Sequence, residues 1–291
     1  LKDFEYAATA TIDEAVSLLA ARGERARVLA GGTDIIVQLR EGLREADMVV
    51  DVKRIPELSQ ITWNAQHGLR IGAAVSCYRL YTDPQICAAY PALTDSAKII
   101  GGWQIQSRAS VGGNLCNSSP AADSIPSLIA LGAVCQIAGP EGTRQLPVSE
   151  FCQSPGRNAL GRGEFLVALD LPPTSAKSSS AYLRFIPRNE MDIAVVGAGA
   201  WVQLDPSGKT IQAARVALGA VAPTPVLAAD ANQWLAGKPA DDATLTEAGE
   251  RAKKSASPIS DRRGPAEYRV HLVGVLTRRA LRSALDRAQS A

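Results

Sequence analysis

Apolar positions along the chain change period several times, and each change marks an element. Over residues 12–21, Ile12, Ala15, Val16 and Leu19 recur at helical spacing; Thr11 and Glu14 form a capping box ahead of them, and Gly23 closes the run. That spacing predicts a helix. A short run, Arg27-Val28-Leu29-Ala30, then leads into Gly31-Gly32 and a second amphipathic stretch, 34–41, stopped by Gly42. The order is strand, glycine turn, helix. Residues 48–52 read as another strand, and 61–63 with 69–71 read as a hairpin whose turn holds His67.

From 76 to 100 the pattern is helical, broken at Pro84 and Pro91. Residues 101–123 then follow neither a period of 2 nor one of 3.6 and are rich in Gly, Ser and Asn, so an irregular and functional segment is expected there. A short helix over 124–131 and strands at 133–138, 145–148 and 165–171 come next. Residues 172–180, Pro-Pro-Thr-Ser-Ala-Lys-Ser-Ser-Ser, have the composition of a domain boundary. Beyond it the pattern gives strands at 181–186, 193–204 and 211–218, with Pro206-Ser207-Gly208 turning the second into the third. Helices follow at 225–236, 243–255 and 266–288, the last with Val273, Leu276, Ala280 and Ala284 on one face. Strands mixed with segregated helices predict an α+β chain.

At 291 residues the chain can bury more than one core, and 46% hydrophobic with 21% charged residues is ordinary globular composition. No apolar stretch approaches the roughly 20 residues of a membrane span. The first six residues lack the basic and apolar stretches of a signal peptide, so cytoplasmic localisation is expected. Net charge is +2, with no basic stripe, which speaks against nucleic-acid binding. The five cysteines, Cys77, Cys87, Cys116, Cys135 and Cys152, are never closer than ten positions and form no Cys-x-x-Cys pair. Neither they nor His67 and His271 propose a metal site; buried reduced thiols are expected instead.

Two glycine segments carry the candidate chemistry. In Leu29-Ala30-Gly31-Gly32-Thr33-Asp34-Ile35-Ile36, adjacent glycines let the backbone turn sharply and bring N–H groups close to an anion, although a tight structural turn explains them equally well. In Ser110-Val111-Gly112-Gly113-Asn114, a second pair is flanked by side chains able to donate or accept hydrogen bonds. Asp123, just before a helix, fits a plain cap or an acceptor for a ribose or flavin hydroxyl. A third candidate, Val196-Gly197-Ala198-Gly199-Ala200-Trp201, lacks the last glycine of a dinucleotide fingerprint because Val202 stands there, and reads as a buried strand.

These segments, with the closing run Ile259-Ser260-Asp261-Arg262-Arg263-Gly264-Pro265-Ala266-Glu267-Tyr268-Arg269, resemble the medium, FAD-binding subunits of the molybdenum hydroxylases. The resemblance runs in order from Phe4 to the last helix. It implies a FAD-binding domain of the vanillyl-alcohol-oxidase (PCMH) type in two subdomains, 1–57 and 58–176, followed by a C-terminal α/β domain of the CO dehydrogenase flavoprotein type, 177–291. It implies that Leu29 to Ile36 wrap the pyrophosphate of non-covalent FAD and that Ser110 to Asn114 hold the rest of the diphosphate and the ribityl chain. Asp123 would bond the sugar portion. Ile100 and Leu166 fall where the family contacts the cofactor, and Arg184 falls where many relatives have Lys, a change that keeps charge but alters geometry.

The implied activity is that of an electron relay within a heterotrimeric oxidoreductase. A large subunit would hydroxylate substrate at a molybdenum cofactor, a small one would carry two [2Fe–2S] clusters, and this FAD would pass electrons to an external acceptor, commonly in a dimer of heterotrimers. No residue here is then required as a catalytic acid or base. The alternative is a stand-alone flavin oxidoreductase of the same fold with its own substrate site; a flavin-free assembly subunit is a third reading.

Overall fold

Parallel strands need a helical crossover between them, and the first fifty residues supply two. In the computed structural model, which describes residues 2–189 and 191–290, β1 (Glu5–Ala8) is followed by α1 (Ile12–Arg22), β2 (Ala26–Leu29), α2 (Ile35–Arg40) and β3 (Met48–Asp51). Leu1 and Ala291, the outer ends of the expected domains, lie outside the described residues. The sheet order is β1-β3-β2, all parallel, with Glu5 and Ala26 both opposite Met48. Val49 and Val50 are fully buried at its centre, and α1 turns Ala15 and Leu19 inward from a cap in which Thr11 accepts from the Glu14 N–H. The sequence pattern does not reveal β1. Its four residues do not alternate, and they become a strand because β3 offers an edge.

The middle of the chain builds an antiparallel sheet with helices over it. After α3 (Pro56–Ser59), β4 (Ile61–Asn64) and β5 (Gly68–Gly72) form the expected hairpin. Then come α4 (Cys77–Tyr81), α5 (Pro84–Ala89), α6 (Pro91–Ala97), α7 (Trp103–Gln106), α8 (Val111–Asn117) and α9 (Ser124–Ala130). Pro84 and Pro91 each open a helix, where a missing N–H leaves no bond unmade. Next are β6 (Val134–Gly139), β7 (Gly142–Pro147), α10 (Val148–Phe151), β8 (Cys152–Ser154), β9 (Arg157–Asn158) and β10 (Phe165–Leu171). The five-stranded order β4-β5-β10-β6-β7 puts the apolar β10 at the centre, while β8 and β9 pair separately.

The last third has a core of its own. β11 (Ser178–Phe185), β12 (Val196–Leu204), β13 (Ile211–Gly219) and β14 (Val226–Leu227) pair in order as an antiparallel sheet. The helices α11 (Ala229–Leu235), α12 (Asp242–Ala252) and α13 (Ala266–Ser290) follow. Along α13, Val273, Leu276, Ala280 and Ala284 are buried as their spacing predicts, with Leu281 and Leu285 beside them. β12 explains the third glycine motif. Ala198 and Ala200 face the α13 core, while Gly197 and Gly199 face the other way, where a side chain would strike the Tyr182 hydroxyl and the Pro126 carbonyl. The glycines thin the strand so that α9 can lie against it.

Two expectations need correction. Residues 101–123 are not wholly irregular: α7 and α8 lie within them, α8 held by Val111 and Leu115, which are buried four positions apart. The helix expected at 225–236 begins only at Ala229, after β14 has added a short edge to the sheet.

Candidate flavin site

The first glycine segment turns by one left-handed residue, Gly32, at a φ of 80°. Leu29 ends β2; Ala30, Gly31, Gly32 and Thr33 are half-buried; Asp34 opens α2 without capping it; Ile35 is half-buried and Ile36 exposed. Gly31 lies flat against the other motif, since a Cβ there would fall 1.9 Å from the Arg108 carbonyl oxygen. Arg108 Nε donates back to the Gly31 carbonyl at 3.3 Å. Between Gly31 and Ile35 the backbone N–H groups find no acceptor among the described residues, and Ile36 is the first to bond back, to Gly32 O at 3.2 Å. Such a row of unpaired donors suits an anion. The Asp34 carboxylate opposes one, and desolvation raises its pKa above the usual carboxylate value.

The second segment is the first turn of α8 rather than a loop. Ser110 caps it, accepting from the Gly113 N–H at 3.0 Å, while its carbonyl accepts from Asn114 N–H at 2.9 Å. Val111 is core. Gly112 is buried against Ala73, whose carbonyl oxygen would be 2.5 Å from an added Cβ; Ala73 N–H in turn bonds Val167 O, beside Leu166 and at the register shift of β10. Leu166 is therefore a buried neighbour of this junction. The Gly112 N–H, though buried, has no acceptor among the described residues. Asn114 Oδ1 accepts from the Ser124 hydroxyl at 2.6 Å, tying α8 to α9, and Gln38 Nε2 donates to Asn117 Oδ1 at 2.9 Å, tying α2 to α8.

Asp123 does not cap α9 with its side chain. Its Oδ1 accepts from the Tyr182 hydroxyl at 2.9 Å and its Oδ2 from Arg184 Nη1 at 2.6 Å, with both charged side chains less than a tenth exposed. Tyr182 and Arg184 come from the same face of β11, so this buried pair joins the middle of the chain to its last third. Burial pushes the Asp123 carboxyl up to about 6 against the opposing pull of Arg184 and Tyr182. Arg184 also lines an open cleft of about 650 Å³, with Lys98, Ile99, Arg188 and Arg287 on its walls. Ile100, half-buried against the N-terminal core, follows directly on that rim.

The structure thus brings Gly31, Arg108, Ser110, Asn114, Ser124, Asp123 and Arg184 into one connected run. Ile100 and Leu166 flank it and bond to none of these groups. Sequence reading missed Tyr182, Arg108 and the Gln38–Asn117 bond. Tyr182 alone carried a signal, because it sits two residues before Arg184 on a strand and therefore shares its face. Among the described residues no group of three or more His, Cys, Asp or Glu side chains could hold a metal. Burial pushes the Cys77 and Cys116 thiols up to about 12, so both stay protonated.

Residues 2–174 match the family model described as the FAD binding domain in molybdopterin dehydrogenase, and residues 181–284 match the CO dehydrogenase flavoprotein C-terminal domain. The xanthine dehydrogenase FAD-binding subunit of Escherichia coli O157:H7 is 34% identical over 97% of this chain and 96% of its own length. The carbon monoxide dehydrogenase medium chain of Afipia carboxidovorans is 33% identical, covering 99% of this chain and 98% of that one. A reconstituted CO dehydrogenase from Oligotropha carboxidovorans superimposes with a TM-score of 0.93 at 31% identity, covering 98% of this chain and 99% of that one. Quinoline 2-oxidoreductase from Pseudomonas putida 86 gives 0.90 at 30% identity, covering 99% and 98%. These matches take in both halves of the chain and the site between them, and the chain belongs to the FAD-binding subunits of the molybdenum hydroxylase family.

Proposed function

We propose that this chain is the flavin subunit of a heterotrimeric molybdenum-containing dehydrogenase, relaying electrons from [2Fe–2S] clusters on a small partner to an external acceptor. The large partner would hold the molybdenum cofactor and oxidise the substrate. Bound FAD supplies the redox chemistry, and the protein supplies binding and orientation. The observation that carries this reading is the packing of Gly31 against the Arg108 backbone that leads into the second glycine segment, with backbone donors of both segments unpaired among the described residues.

The N–H groups of Gly31 to Ile35 would hold the pyrophosphate, within the segment Leu29 to Ile36, while Arg108 adds a positive charge beside it. Gly112 N–H and the rest of Ser110 to Asn114 would hold the ribityl side. Asp123, held by Tyr182, would accept from a cofactor hydroxyl, and Arg184 would stand beside it. Ile100 and Leu166 would supply apolar walls. No side chain in this set is asked to move a proton. Domains at 1–57, 58–176 and 177–291, non-covalent attachment, a cytoplasmic setting and a dimer of heterotrimers complete the proposal. No described helix is long and apolar enough to cross a membrane.

Purification of the chain with its native partners, followed by flavin, iron and molybdenum analysis, tests the reading. One FAD per chain, released on denaturation, with iron and molybdenum on the other two subunits, is expected. A lone chain that oxidises an organic substrate by itself would overturn it.

A further inference from the structure

Resting on the flavin reading, the closing motif 259–269 acquires a role that neither glycine segment explains. Arg269, in the first turn of α13, is 4% exposed. Its Nη1 donates to two carbonyls, Val195 O at 3.0 Å and Ala220 O at 3.3 Å, and its Nη2 donates to Asp261 Oδ1 at 2.7 Å. A buried guanidinium shared through its two Nη atoms between two carbonyls and a carboxylate has little freedom, because rotation breaks these bonds, and its Nε already lacks a partner among the described residues.

Each of the two peptide units continues towards the site. The Val195 N–H bonds Phe185 O at 2.9 Å, and Phe185 is the neighbour of Arg184. This bond closes the connection from β11 to β12. Tyr268, beside Arg269, packs edge-on against Phe185 at 5.9 Å between ring centroids and reinforces the same arm. The second arm starts at Ala220, whose N–H bonds Pro120 O at 2.7 Å, and Pro120 lies three residues before Asp123. Ala220 is left-handed, at a φ of 65°, a conformation that is unfavourable for an L-residue and persists where neighbours hold it. Its holders are Pro120 on one side and Arg269 on the other.

We propose that Arg269 is a positioning residue of the flavin site: one guanidinium anchors both backbone arms that end on the two members of the Asp123–Arg184 pair. It touches neither the pair nor the cofactor. Its effect on FAD passes through the separation and orientation of Asp123 and Arg184, and Asp261 keeps it aimed at both carbonyls.

The test is a double-mutant cycle on the assembled complex, read by FAD dissociation constant and by the visible flavin absorbance band. Arg269→Lys keeps a positive charge but cannot span two carbonyls and a carboxylate. It should weaken FAD binding by about 10-fold and shift the band, whereas Arg251→Lys, on the far Trp234 surface of the same domain, should do neither. In an Asp123→Asn background the further effect of Arg269→Lys on FAD affinity should shrink markedly, because the pair through which it acts is already broken. If Arg269→Lys does not assemble, Asp261→Asn, which frees only the aiming contact, should give a smaller change of the same sign. Affinity and absorbance unchanged in Arg269→Lys, or additive effects in the cycle, would overturn the positioning role alone. A wild-type complex that carries no FAD would instead overturn the functional reading, and the inference with it.

Discussion

In Gly31-Gly32 the second residue carries the left-handed backbone and the first lies against the Arg108 carbonyl; in Gly112-Gly113 both residues are helical, and the first lies against Ala73. The two pairs look alike in sequence, yet only one is a turn. What they share is a division of labour: one glycine in each admits neighbouring backbone, and the other is the freer. At Gly32 an added Cβ would meet only the ends of the Leu29 and Ile36 side chains, and at Gly113 only Ser110 Oγ, at 3.0 Å. A glycine pair therefore need not mean that both residues approach a ligand. At least half of each pair is used to pack one segment of the chain against another.

The strongest way to break this comparison is at the packed glycines. Gly31→Ala would put a methyl group 1.9 Å from Arg108 O, and Gly112→Ala one 2.5 Å from Ala73 O, so backbone must part in both. Overpacking of this kind costs about 1–3 kcal/mol or more. Thermal melting should show both variants destabilised, Gly31→Ala the more, with FAD lost together with structure. If either variant melted like wild type, its glycine would not be a packing residue.

The Asp123–Arg184 pair gives the next largest effect. Removing one member of a buried pair typically costs about 3–5 kcal/mol. Arg184→Leu should cost more than Asp123→Asn, because the long arginine can still reach the open cleft it lines, whereas the short Asp123 cannot reach water. The pH dependence has a definite sign. Burial raises the folded pKa from 3.8 to about 6, so the folded chain binds this proton more tightly than the unfolded one. The contribution of Asp123 to stability is then greatest below 3.8 and declines as pH rises through about 6. Denaturation of wild type and Asp123→Asn between pH 4 and 7 should show the variant gaining relative to wild type as pH rises. A constant difference would mean that Asp123 titrates normally.

How far the sequence speaks depends on whether the deciding contacts are local. β10 is legible to the residue, because six of its seven positions are apolar, with Asp170 alone charged, the near-continuous run of a strand covered on both faces. The buried face of α13 is legible from spacing alone. The residues of both glycine segments could also be named from sequence, but their contact could not. Gly31 meets Arg108 across 77 positions, and Asp123 meets its partners across 59 and 61. Helix α8 was hidden for a different reason. Val-Gly-Gly-Asn has poor helix propensity, and the turn forms because Ser110 caps it and Val111 and Leu115 are buried beneath it.

The smallest effect on stability comes from Gly113→Ala, and it is the sharpest probe of the site. Gly113 is helical, with no left-handed backbone to strain, and alanine favours a helix over glycine by roughly 0.8–1 kcal/mol. Among the described residues the one close neighbour of the new methyl group outside its own helix backbone is Ser110 Oγ, which already accepts the Gly113 N–H and can turn slightly. Melting temperature should therefore be unchanged or a little higher. The methyl group would point where, on the flavin reading, the cofactor lies against the backbone, so FAD affinity should fall while the fold holds. That separation is unavailable at Gly112, where a side chain disturbs Ala73 first, so loss of FAD there could not be told from loss of packing. Isothermal titration of FAD into the flavin-stripped complex, with melting of the same samples, measures both quantities. Wild-type affinity in a stable Gly113→Ala variant would remove this turn of α8 from the cofactor's surface and leave the unpaired amides of Gly31 to Ile35 as the anion site on their own.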